Sequence, residues 1–330
     1  MNWEVQLRKG LWIPQADCWL DAQFPATRSV VSHAHSDHVG RHKELICSPP
    51  TARLLRARMP GRRIEHILPF GHKEALTKDV TITLHPAGHI LGSSLIELQG
   101  EPGTLLYTGD FKLRPSLASE NCATPKADIL IMETTFGLPK YVFPPDDEIF
   151  GNIITFCQEA VADGRVPVLF CYSLGKTQEV LRALQPAGLP VMLHDSALRL
   201  TRIYEQFGFT FPAYRPFNAD EVGGHVVICP PPHQKGGLLN RIHARRTALI
   251  SGWALDPGAR YRFRCDAAFP LSDHADFNDL LQFVELVQPK RILTLHGFAK
   301  EFSLTLRERG WDAWAIGKEN QLDLGLGVSG

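Results

Sequence analysis

Short apolar runs bounded by Gly, Pro or Asp dominate the first 135 residues. Those at 28–33, 80–85, 94–99, 104–108 and 127–132 are rich in Val, Ile, Leu or Thr and predict strands. One helix is predicted over 51–58. A proline-rich break, GLPKYVFPPDD, follows at 137–147. After it the rhythm changes. Helices at 146–162, 175–185 and 196–207 alternate with strands at 166–172 and 190–194, and strands near 224–229 and 247–251 follow. Strands alternating with helices predict a parallel, doubly wound unit. From about 258 the chain returns to short elements, with a helix at 277–288, a strand at 290–295 and a helix at 299–309. The pattern is that of one folding unit inserted into another, and 330 residues suffice for two domains.

Composition narrows the class. Hydrophobic residues make up 44% and charged residues 21%, close to globular averages, so wholesale disorder is excluded. The longest apolar runs, PVLFCY and DILIM, fall far short of the ~20 residues that a membrane span needs. The N-terminal MNWEVQLRKG has no apolar stretch of the kind that marks a secretory signal. Acids and bases number 35 each, so any positive field for a polyanion must be local. The cysteines are seven in number, odd, and without a C-x-x-C pair. That argues against a disulfide framework or a thiolate zinc site and for reduced thiols in a cytoplasmic protein.

The chemistry concentrates at 33–38, HAHSDH, directly after the apolar SVV. On an extended chain, side chains two apart project to one side, so His33 and His35 can grip one metal. Asp37 and His38 lie one tight turn on and can point at a second. Imidazole and carboxylate suit Zn²⁺ and tolerate Mn²⁺. Three His and one Asp within six residues would be a poor structural choice, buried or exposed. Two further signals follow separate strands. His89 sits between Gly88 and Gly92 in HPAGHILGSS, and Asp110 ends LLYTGD, where its two oxygens could bridge two cations. His85 reads as a hydrogen-bonded strand residue.

The order H-x-H-x-D-H, then G-H, then T-G-D resembles the metallo-β-lactamase superfamily. LIMETTFG at 130–137, LSDHADF at 271–277 and LTLHGFAKEF at 293–302 resemble motifs A, B and C of its β-CASP nucleases, carrying Glu133, His274 and His296. The resemblance implies a metallo-β-lactamase αββα sandwich with an inserted Rossmann-like β-CASP cap domain. Residues 1–142 and 258–330 would form the sandwich and 143–257 the cap. It further implies two Zn²⁺, with Mn²⁺ as a substitute. One would be held by His33, His35, His89 and Asp110, the other by Asp37, His38, Asp110 and His296. Asp37 counts among the catalytic residues. His274, oriented by Glu133, would protonate the departing oxygen or bind the phosphate. Two such cations ~3.5–4 Å apart can clamp the attacking and leaving oxygens of a phosphoryl displacement.

Within that family, KGLWIPQADCWLDA, VSHAHSDH, METTFGLPKYVFPP and FPLSDHADF resemble the bacterial exonucleases associated with an ATP-dependent DNA ligase. This implies DNA as substrate and a repair setting with a ligase and a helicase-like partner. A histidine at motif C is usual among the RNA-cleaving members, so an RNA 3′-end-processing nuclease is the second reading. An inactive scaffold and a small-molecule metallo-hydrolase complete the alternatives.

Weaker signals lie elsewhere. YSLGKTQEV at 172–180 has Phe170 where a P-loop needs its first Gly, which disfavours nucleotide hydrolysis. An anion site at the helix start would put Ser173, Lys176 or backbone amides on substrate phosphates, against a plain turn and helix start. RYRFRCD at 260–266 reads as a strand with Arg260, Arg262 and Arg264 on one side, lining a cleft or facing solvent. RLLRARMPGRR at 53–63 and RIHARR at 241–246 could follow a phosphate backbone or serve solubility. The remaining histidines, His42, His66, His72, His194, His225, His233 and His243, default to surface or structural roles.

Overall fold

The computed structural model describes residues 3–231 and 237–317, so His233 lies outside the described residues. The chain divides into two compact units. The first comprises residues 1–115, 119–142 and 274–330, the second 116–118 and 143–273.

Two sheets build the first unit. One runs in the order β1 (Gln6–Arg8), β2 (Gly10–Ile13), β3 (Cys18–Leu20), β4 (Arg28–Val30), β5 (Glu44–Cys47), β6 (Ile64–Ile67). Its first three strands pair antiparallel and the rest parallel. The other contains β7 (Lys73–Ala75), β8 (Thr81–Pro86), β9 (Ser94–Gly100), β10 (Gly103–Tyr107), β11 (Ile129–Glu133), β18 (Arg291–Leu295) and β19 (Ala313–Ala315). Here β7 to β10 pair antiparallel, and β10, β11, β18 and β19 pair parallel. Alternate side chains of the two sheets meet in one core, with Leu11, Ile13, Leu20 and Val30 on one side and Ile82, Leu84, Ile96 and Leu105 on the other.

Helices close the outer faces. Helix α1 (Pro49–Arg58) lies against β6. Helices α6 (Phe277–Val287) and α7 (Ala299–Glu308) bury Leu280, Phe283, Val284, Phe302 and Leu306 against Leu106, Leu130 and Met132 of the second sheet. The starts of α1 and α6 are written locally. The Ser48 side chain accepts the Thr51 N–H, and Pro49 and Pro50 fill positions that need no amide partner. Asp276 and Asp279 form a reciprocal capping box, and Arg114 pairs with both carboxylates.

The second unit is one parallel sheet in the order β14 (Tyr214–Pro216), β13 (Val191–Leu193), β15 (Val226–Cys229), β12 (Val166–Phe170), β16 (Arg245–Ile250), β17 (Ala267–Phe269). Both faces are buried, which is why its strands read as unbroken apolar runs rather than alternating ones. Helices α2 (Asp146–Ala162), α3 (Lys176–Ala183) and α4 (Asp195–Gln206) cover one face. Short turns and α5 (Ala259–Arg262) cover the other.

Two expectations need correction. Residues 260–266 are not a strand. After α5, Arg264 takes a left-handed φ of 52°, with Cys265 N bonded to Arg260 O and Arg264 N to Tyr261 O. That is a Schellman closure with arginine in place of glycine, and it removes the common face for Arg260, Arg262 and Arg264. The chain also returns to the first unit at His274 rather than 258, because β17 pairs with β16 and extends the second unit's sheet. Among the described residues, no helix is long and apolar enough to cross a membrane.

Candidate metal centre

Each loop of the site follows a strand and is held by polar groups built into the fold. His33 and His35 lie just beyond β4, and the Ser32 hydroxyl sits 2.9 Å from His33 Nδ1. His89 rides a loop that turns on two left-handed glycines, Gly88 (φ 76°) and Gly92 (φ 77°). A Cβ at Gly88 would come within 2.2 Å of the Lys112 carbonyl oxygen, so no larger residue fits there. The Ser93 hydroxyl accepts the His89 N–H at 3.1 Å and the Ile90 N–H at 3.2 Å, and the Ser48 hydroxyl donates to Gly92 O at 2.6 Å. Asp110 follows Gly109, whose φ is 52°.

These loops bring four donor atoms together. His35 Nδ1 lies 3.1 Å from both His33 Nε2 and His89 Nε2. Asp110 Oδ2 lies 3.6 Å from His33 Nε2 and 3.8 Å from His89 Nε2. Ligands ~2.0–2.1 Å from one ion stand ~3.3 Å apart in a tetrahedron, so the spacing fits Zn²⁺ without rearrangement. Burial, reinforced by His38 and only partly opposed by Asp110, holds His33 well below the usual imidazole range, so it presents a neutral nitrogen. Asp110 is buried, which alone would raise its pKa, but His38, His274 and His33 outweigh burial and keep it ionised. Neutral imidazole and charged carboxylate are the forms that bind metal.

The second set is looser. His38 Nε2 lies 3.2 Å from Asp110 Oδ2 and 4.0 Å from Asp37 Oδ2, while the His38 and His296 rings are 6.0 Å apart between centroids. The Asp37 side chain is 74% exposed, and His296 is exposed too. His296 has a left-handed φ of 61°, and Thr134 Oγ1 donates to its carbonyl at 2.6 Å. Such a backbone state in a non-glycine residue persists only where the surroundings impose it.

Sequence reasoning missed Asp21, which is 5% exposed. Its carboxylate accepts from Ser32 N at 2.7 Å, Ser32 Oγ at 2.6 Å and Tyr107 Oη at 2.9 Å, and it meets His38 Nδ1 at 2.9 Å. Burial opposes a charge on His38, yet Asp110 and Asp21 prevail and raise its pKa. A carboxylate behind a histidine fixes the ring and strengthens its outer nitrogen as a ligand. The available signal was an aspartate ending a strand in CWLD, one step before the histidine cluster.

Glu133, at the end of β11, is buried and meets His274 Nδ1 at 2.9 Å. Phe111 N donates to the same carboxylate at 2.9 Å, and the Thr135 hydroxyl donates to its other oxygen. His274 also lies beside His89, with ring centroids 4.7 Å apart. His85 pairs with Glu97 at 2.9 Å, as a strand residue would. Arg56 and Arg63 of the 53–63 cluster are both engaged by Glu65.

The residues expected to bind substrate lie in the second unit and do not form one group. Lys176 is 1% exposed, its ammonium 3.0 Å from both Leu271 O and Asp273 Oδ1. It braces the 271–273 loop and has no free face for a phosphate. Gly175 N donates to Gln178 Oε1 and Thr177 N to Tyr172 O, so these amides at the helix start are engaged internally as well. Ser173 Oγ lies 2.8 Å from Ser196 Oγ, which lies 2.8 Å from His194 Nδ1. Arg264 is exposed on its left-handed turn.

Comparison with known proteins agrees with this architecture. Residues 260–315 match the Zn-dependent metallo-hydrolase RNA specificity domain. The chain is 61% identical over 327 residues to a probable DNA ligase of Opitutus terrae, covering 99% of this chain and 32% of that protein. Together these likenesses support a β-CASP metallo-β-lactamase fold. Other β-CASP relatives are more distant. The 5′ exonuclease Apollo of Gallus gallus is 29% identical over 280 residues, covering 80% of this chain and 57% of Apollo. An RNase J-like protein of Methanocaldococcus jannaschii is 26% identical over 208 residues, covering 54% and 49%. The chain thus spans between a third and just over half of the length of these relatives. In β-CASP terms the first unit is the αββα sandwich and the inserted parallel sheet is the cap.

Proposed function

We propose that this chain is a two-zinc nuclease that hydrolyses phosphodiester bonds, with DNA as its substrate. The observation that carries the reading is the convergence of His33, His35, His89 and Asp110, with His38 approaching the same Asp110 oxygen. His33, His35, His89 and Asp110 would hold one Zn²⁺, and Asp37, His38, Asp110 and His296 the other; Mn²⁺ suits the same donors. Bound there, the ions lower the pKa of water to about 7 and neutralise charge on the phosphoryl oxygens.

The chain's own residues supply the rest. Asp110 lies between the two sets and ties their positions together. Asp21 holds the His38 ring so that Nε2 faces the centre. Glu133 holds His274 by Nδ1, and a protonated His274 would present its other N–H to the departing oxygen. Phe111 N and Thr135 keep the Glu133 carboxylate from rotating.

DNA is favoured by the likeness to a protein named a probable DNA ligase, in which a segment like this chain takes up about a third of the length. Residence in one polypeptide supports a ligase as functional partner, and the repair setting would add a helicase. Seven free cysteines agree with a reducing, cytoplasmic setting. A second reading, RNA 3′-end processing, is favoured by His296 and by the match to an RNA specificity domain. The test is purified protein on matched DNA and RNA strands, with and without a 5′-phosphate, before and after chelation. Cleavage of RNA alone would overturn the DNA assignment, and cleavage unaffected by chelation would overturn both.

A further inference from the structure

The turn between β1 and β2 carries two adjacent cations, Arg8 and Lys9, both exposed. They line a cavity of about 310 Å³, within the first unit, that is also lined by His38, His296 and the carboxylates of Asp21 and Asp37. That volume is at the lower end of the roughly 300–1,000 Å³ typical of small-molecule pockets. Among the described residues neither cation has a carboxylate partner, and Arg8 meets only the neutral Gln6 side chain, at 3.3 Å.

The turn is fastened to the metal-ligand loop. Gly10 has a φ of 133°, and a Cβ there would come within 2.6 Å of the Ala22 Cα, so the hairpin lies directly on the 21–23 segment. Gln23 N donates to Lys9 O at 2.8 Å, and Gln23 Nε2 donates to Asp37 O at 2.7 Å. One residue therefore sets the distance from the cationic turn to the Asp37 loop. Two unpaired like charges, held in register beside a site that collects cations, are useful only toward a polyanion.

We propose that Arg8 and Lys9 form a strand clamp that binds the phosphate flanking the scissile linkage. The proposal rests on the nuclease reading and deepens it. Arg8→Ala, Lys9→Ala and the double variant would be compared with wild type and with Lys78→Ala, an exposed cation on the turn between β7 and β8. Affinity for a fluorescent single strand would be followed by anisotropy in EDTA across a salt series, and kcat/KM across the same series with zinc. Each lost phosphate contact should reduce the slope of log affinity against log salt by about 0.7. The double variant should raise KM about tenfold or more, keep its zinc content, and leave kcat within a few-fold. Lys78→Ala should match wild type. Replacing single linkages by neutral methylphosphonates should weaken wild type at one flanking position and leave the double variant unaffected there. Unchanged salt slopes in both assays, or equal methylphosphonate sensitivity in wild type and double variant, would overturn the clamp. A wild-type chain that neither binds nor cuts any strand would instead sink the nuclease reading itself.

Discussion

The two halves of the metal centre are built differently. His33 and His89 are almost fully buried, and their loops are locked by Ser32, Ser93 and left-handed glycines. Asp37 and His296 are exposed, and the spacings around His38 run from 3.2 Å to Asp110 to 4.0 Å to Asp37. The first half is organised by packing before any ion arrives. The second depends on charge and on one imposed backbone conformation. Preorganised donors bind without the entropic cost of collecting themselves, so under the proposed two-zinc reading one ion should be held tightly and the other less tightly.

The sharpest way to break this comparison is Asp110→Ala. It removes the oxygen common to both halves, so metal analysis should find neither zinc held tightly and cleavage should fall to background. Retention of two zincs would dismiss the shared carboxylate. His33→Ala should likewise abolish cleavage. Next, His274→Ala should keep both zincs yet slow turnover by about 10²–10⁴-fold, the usual contribution of a positioned proton donor. Normal turnover would remove His274 from the chemistry. Asp21→Ala should weaken the second zinc by about 10–100-fold, with the tight one retained. An isothermal titration with equal losses at both sites would contradict the division. His296→Ala should release only the weaker ion.

The smallest effect concerns a histidine that is not a ligand. His42 is buried with Gly40 N donating to its Nε2 at 3.0 Å, and burial brings its pKa from 6.5 to about 4. Between those values the unfolded chain takes up a proton that the fold refuses. Stability therefore declines as pH falls from 6.5 to 4 and is insensitive to this group above that window. His42→Asn should flatten that part of the curve of denaturation midpoint against pH. An unaltered curve would show that another group governs it.

Much of this was legible in the residues. His33, His35, Asp37 and His38 announce themselves by type and spacing, and His89 and Asp110 by glycines at loop turns. The alternation of strands and helices after residue 146 foretold the parallel sheet of the second unit. What escaped was non-local. Asp21 becomes important only through Ser32, His38 and Tyr107, the last 86 positions away. Lys176 looked like a phosphate ligand because glycine precedes it, and nothing local marks Leu271 and Asp273 as its partners. The strands β1 to β3 are three or four residues long and interrupted by Gly10 and Pro14, too short for periodicity to register.

The ladder between β11 and β18 sets Glu133 opposite Leu295. Glu133 steadies His274, and the residue after Leu295 is His296, whose carbonyl is tied back to Thr134. The anchor of the proposed proton donor and the outermost proposed ligand are thus geared together on neighbouring rungs. A slip or loosening at that rung would disengage both at once, so damage at Thr134 and at His296 should compound unequally rather than sum.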